Sequence, residues 1–109
     1  MEKTVKTFKH FSEKGYKHYT ENTIEELDEL PLDNHHIITE FAHLCEWLRV
    51  NHGIWISVDI NPDYDMYFYA IRKTKGSGQR MRLNDEVFYF NSPQEVYSAA
   101  FDYILKELL

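Results

Sequence analysis

The chain has 109 residues, 43% of them hydrophobic and 16% aromatic, which supplies one core in one domain and excludes a disordered segment. A net charge of −6 argues against a general nucleic-acid binder, whose footprint is basic, and a single cysteine, Cys45, excludes a disulfide framework and points to a reducing compartment. No apolar signal region lies near the start and no apolar run approaches the ~18 residues that cross a bilayer, so a cytoplasmic protein is expected.

Val5, Phe8 and Phe11 stand three apart, a helical rhythm over residues 2–14 that Gly15 can cap, although Thr4, Val5 and Thr7 would also suit a strand. The stretch from Gly15 to Tyr19 reads as extended. Thr23-Ile-Glu-Glu26 is a capping box that opens a short helix or turn, with Ile24, Leu27 and Leu30 at helical spacing and Pro31 stopping continuation. Residues 34–50 predict the clearest internal helix. Ile37, Phe41, Leu44 and Leu48 form its apolar stripe, widened by Ile38 and Cys45. Asp33 or Asn34 can cap its start, and Asn51 or Gly53 its end.

Ile54, Ile56, Val58 and Ile60 alternate on one face of a strand. Asn61-Pro-Asp-Tyr-Asp65 is turn chemistry, and Met66–Ile71 is a second, aromatic strand. After a loop at 75–79, residues 80–83 and 86–90 offer a third strand, broken near Asn84-Asp85. The connections are too short for crossovers, so pairing is antiparallel. Ser92, Pro93 and Glu95 open a last helix, 93–108, with Val96, Ala100, Ile104 and Leu108 on one stripe. The expected fold is therefore α+β in two layers. A three-stranded antiparallel meander packs against two main helices, about 34–50 and 93–108, with helical segments before them.

Several side-chain groupings invite a chemical reading. His36, Glu40, His43 and Trp47 fall in one arc of the 34–50 helix, pointing away from Phe41 and Leu44. Two imidazoles and a carboxylate could hold a transition metal, although one helix rarely supplies three ligands with good angles. The plainer reading is a polar face partly covered by the N-terminal segment, with Trp47 either packed under another element or anchoring a partner. Asp59-Ile-Asn-Pro-Asp-Tyr-Asp65 resembles the opening of a calcium loop but has Tyr64 where Gly is needed and Ala70 where a bidentate Glu is needed, so a hairpin is expected. Cys45 lies beside an apolar stripe, where a thiol is inert. Charge is segregated. From His18 to Leu48 there is no Lys or Arg, while Glu25, Glu26 and Glu29 share one short segment; Lys73, Lys75, Arg80 and Arg82 then crowd the second hairpin. Both segments are candidate partner surfaces, and the plainer reading of both is a solvated face.

Three segments in order, Cys45-Glu-Trp-Leu-Arg-Val-Asn-His-Gly-Ile-Trp-Ile-Ser-Val58, Met66–Ile71 and Phe90-Asn-Ser-Pro-Gln-Glu-Val-Tyr-Ser-Ala-Ala-Phe-Asp-Tyr-Ile-Leu105, resemble a group of small uncharacterised proteins of phages and prophages of gut bacteria. Glu13-Lys-Gly-Tyr-Lys-His-Tyr19 fits their N-terminal third. The resemblance implies an α+β fold and a phage-associated origin, and carries no catalytic residues.

The functional expectation is a non-catalytic, cofactor-free accessory protein that binds a macromolecule, a protein before anything else. Two alternatives stand beside it. One is an acidic nucleic-acid mimic that inhibits a host defence or DNA-processing protein. The other is a small metal-binding enzyme using His36, Glu40 and His43.

Overall fold

In the computed structural model, which describes residues 7–73 and 89–109, six elements follow one another: α1 (Thr7–Glu13), α2 (Ile24–Glu29), α3 (His35–His52), β1 (Ile54–Asn61), β2 (Met66–Lys73) and α4 (Pro93–Glu107). Local chemistry sets the helix ends. Asn34 is the cap of α3, its side-chain oxygen accepting from the His36 N–H at 2.8 Å. Gly53 ends that helix in the left-handed region, at φ 65°. Thr23 and Glu26 complete the expected capping box of α2. At α4 the Ser92 hydroxyl accepts from the Glu95 N–H, while the Glu95 carboxylate takes the hydroxyl proton rather than the backbone N–H of a full box.

Gly15 closes α1 with a Schellman pattern. The Tyr16 N–H reaches the Phe11 carbonyl at 3.0 Å and the Gly15 N–H reaches that of Ser12 at 3.0 Å, with Gly15 at φ 104°. The turn aims Tyr16 back at the core. At the other end of α1, the buried Asp28 of α2 accepts from the Phe8 N–H at 3.2 Å, so one short helix caps the other.

β1 and β2 form an antiparallel hairpin in which Ile54 faces Lys73, Ile56 faces Ile71, Val58 faces Tyr69 and Ile60 faces Tyr67. These residues share the face covered by α3 and α4, and Ile54, Tyr69 and Ile71 are buried there. The expected three-stranded meander becomes a two-stranded sheet among the described residues. Of the anticipated third strand, residues 80–88 lie outside the described residues, and Phe90 forms a single antiparallel bridge to Tyr67 on the far edge of β2. The loop at 75–79 and the helical start at 2–6 also lie outside them. The segment 59–65 is the expected hairpin turn, with the Asn61 side chain accepting from the Asp63 N–H at 3.0 Å.

An aromatic seam joins the helices. Phe8 lies 5.8 Å from Phe41, Phe11 lies 5.8 Å from Phe101, and Phe41 lies 5.0 Å from Phe101, ring centre to ring centre. Each such side chain taken fully out of water contributes roughly 1.5–3 kcal/mol. Among the described residues no helix is long and apolar enough to cross a membrane.

Candidate functional site

α3 carries three parallel rows of side chains with the same spacing, and their surroundings differ. The middle row, Ile37, Phe41, Leu44 and Leu48, is buried against the core as its apolar character demands. The row on one side is the polar arc of His36, Glu40, His43 and Trp47. The row on the other is Ile38, Ala42, Cys45 and Arg49.

The polar arc is not an open face. Residues 16–20 lie across it, and Glu40 is 0% exposed. Its carboxylate accepts the Tyr16 phenol proton at Oε2, the Tyr19 N–H at 2.9 Å at the same oxygen, and the Thr20 N–H at 3.0 Å at Oε1. Since the only Tyr16 proton goes to Glu40, the 3.1 Å contact between the Tyr16 oxygen and His43 Nδ1 requires His43 to donate. The Tyr19 ring lies 5.0 Å from the His43 ring, tilted by 30°. Burial first, and then the carboxylate beside it, push the Tyr16 phenol far above its ordinary value. Tyr16 is 2% exposed and firmly protonated, so it is neither a base nor a nucleophile. Among the described residues the buried Thr20 hydroxyl has no hydrogen-bond partner.

The structure does not bring the three candidate ligands of the arc, His36, Glu40 and His43, together. The Glu40 oxygens are occupied by three donors from the N-terminal segment. His36 turns to His35, with ring centres 4.0 Å apart, instead of joining Glu40 and His43. Among the described residues no three His, Cys, Asp or Glu side chains converge as ligands would. Trp47 takes the packing role, edge-on to Phe11 at 6.3 Å and to Tyr16 at 5.5 Å.

The opposite row is open. Ile38, expected to widen the buried stripe, is 43% exposed. With Phe41, Ala42, Cys45, and Gln94 and Tyr97 of α4 it lines a groove of 370 Å³. Ala42 and Cys45 continue into a second groove of 210 Å³, walled by Glu46, Arg49, Ile54, Trp55 and Ile56. Arg49 is ion-paired to Glu46 and its guanidinium stands 5.3 Å over the Trp55 ring. Cys45 sits where the grooves meet, and burial pushes its thiol up to about 12, so it is a small apolar wall, not a nucleophile.

Of the other candidate residues, Glu25, Glu26 and Glu29 are exposed on α2. Glu26 is spent on its own helix: the Thr23 N–H and hydroxyl hold its carboxyl below the usual range. Lys73 is half-buried at the end of β2, and Lys75, Arg80 and Arg82 lie outside the described residues. Sequence reasoning missed Ile38, Ala42, Gln94, Tyr97, Arg49 and Trp55 as a surface. The available signal was an apolar arc on α3 wider than one neighbour can cover, and a Trp at an outward strand position. No family model matches this chain, and neither a curated protein nor a solved structure matches it.

Proposed function

We propose that the chain is a non-catalytic cytoplasmic recognition protein, of the phage or prophage accessory type its sequence resembles, and that its partner is a protein held on the open flank of α3. The observation that carries this reading is the 370 Å³ apolar groove between Ile38 and Tyr97. An isoleucine left 43% exposed beside aromatic walls is the composition of an interface centre, where burial of a few anchors supplies most of the affinity. The locked state of Glu40, Tyr16 and Cys45 supports a binding role over a reactive one.

The acidic-mimic reading keeps one observation in its favour: Glu21, Glu25, Glu29 and Asp33 are all exposed in a segment without Lys or Arg. One experiment separates the two. Purified wild type, Ile38→Asp and a Glu21→Gln/Glu25→Gln/Glu29→Gln variant are used to capture proteins from the source cells, with quantification by mass spectrometry. The groove reading expects a protein held by wild type and by the triple variant but reduced at least about tenfold by Ile38→Asp, the loss of roughly 1.4 kcal/mol or more. Loss with the triple variant and retention with Ile38→Asp would replace it by the acidic mimic.

A further inference from the structure

The hydrogen-bond pattern of the hairpin tells which way each backbone group of β1 points. The N–H and C=O of Tyr67 both bond to Phe90, at 2.9 and 2.8 Å, so they face away from β1. In an antiparallel ladder the direction alternates along the strand. The neighbours Met66, Phe68, Ala70 and Arg72 therefore bond inward to Asn61, Asp59, Ser57 and Trp55. It follows that Ile54, Ile56, Val58 and Ile60 present their N–H and C=O groups to the outer edge of β1. The Ile60 N–H agrees: it is taken up by the adjacent Asp59 carboxylate at 2.8 Å. Among the described residues no strand lies on that edge.

We propose that this edge pairs with the β1 edge of a second copy of the chain, antiparallel, about a two-fold axis through Ser57. That register sets Ile56 opposite Val58 and Ile54 opposite Ile60, so all four outward residues are matched and aliphatic meets aliphatic on the inner face. It also leaves Pro62, which has no N–H, outside the ladder. Two features select it. Ile60 is 39% exposed in the single chain, and this register delivers it next to the partner copy's Ile54, where the 210 Å³ groove walled by Ala42, Cys45 and Arg49 stands open. On the outer face Asp59 comes opposite the Trp55–Arg49 pair, so a carboxylate meets a guanidinium twice by symmetry. Asp59 then exchanges its local bond to Ile60 for the cation, and the Ile60 N–H bonds to the partner copy's carbonyl. The contact is small, at the transient end of the interface range. It lies beside the Ile38–Tyr97 groove, with Ala42 and Cys45 common to the walls of both.

The test combines mass and cross-linking. Sedimentation of the wild-type chain between about 1 µM and about 500 µM, the range of weak interfaces, is expected to rise from 13.1 kDa toward twice that. Val58→Pro removes an outward N–H at an edge position where proline is tolerated, so it is expected to keep the circular dichroism of the fold and stay at one chain's mass. Ser57→Cys in a Cys45→Ala background faces its own copy at ~4.5 Å between Cα atoms, within the disulfide range, and is expected to form a covalent dimer on mild oxidation. Lys9→Cys, exposed on α1, is expected to remain single. A single-chain mass throughout, with Ser57→Cys cross-linking no faster than Lys9→Cys, would overturn the proposal. Dimerisation undiminished in a folded Val58→Pro would overturn it too.

Discussion

Two rows of α3, offset by two residues and so about 200° apart around the helix, have opposite fates. The row of Glu40, His43 and Trp47 is polar and aromatic, yet it is closed by residues 16–20. The row of Ile38, Ala42 and Cys45 is apolar, yet it borders open grooves. Polarity along a helix therefore does not decide what is inside. A carboxylate can be buried at little net cost when every lone pair meets a donor, and an isoleucine stays exposed when no neighbour is long enough to reach it.

The closed row breaks most readily at Glu40. Glu40→Ala leaves the Tyr16 hydroxyl and the N–H groups of Tyr19 and Thr20 without an acceptor, and is expected to lower unfolding stability in urea by about 3 kcal/mol. A smaller effect comes from Tyr16→Phe, which removes one buried hydrogen bond to a charged group and is expected to cost about 1.5 kcal/mol. It also alters the alkaline limb. The folded chain holds the Tyr16 proton more tightly than an unfolded tyrosine, which titrates near ~10. This contribution is whole below that pH and is lost as pH rises beyond it, because the unfolded state releases its proton first. Cys45, raised from 9.0 to about 12, acts with the same sign across that window. Urea midpoints measured between about pH 8 and about pH 11 should therefore fall less steeply in Tyr16→Phe than in wild type. Gly15→Ala is milder, about 1 kcal/mol, since an added Cβ meets open space and only the φ of 104° resists it. On the open row, Ile38→Asp should shift stability by no more than about 0.5 kcal/mol while reducing partner capture at least about tenfold.

Elements with complete local signals were legible in the sequence. Asn34, Gly53, Thr23 and Ser92 marked helix ends through side-chain and backbone chemistry that acts within a few residues. The strands followed from alternation and turn chemistry. What escaped was tertiary. Glu40 is buried by donors lying 20 to 24 residues away, a contact no helical periodicity encodes. The exposure of Ile38 depends on where α4 begins, and cover fades along β1 from buried Ile54 to exposed Ile60. Trp47 was the residue whose incongruity on a polar arc already signalled a covering element.

The central claim is that the Glu40 carboxylate is spent on fastening the N-terminal segment to α3. Unfolding of tag-free wild type and Glu40→Ala, each with excess Zn²⁺ or with EDTA, tests it most directly. The expected result is a wild-type midpoint unchanged by either addition, and the same Glu40→Ala deficit in both conditions. A wild-type midpoint that rises with Zn²⁺, falls with EDTA and loses both responses in Glu40→Ala would contradict it.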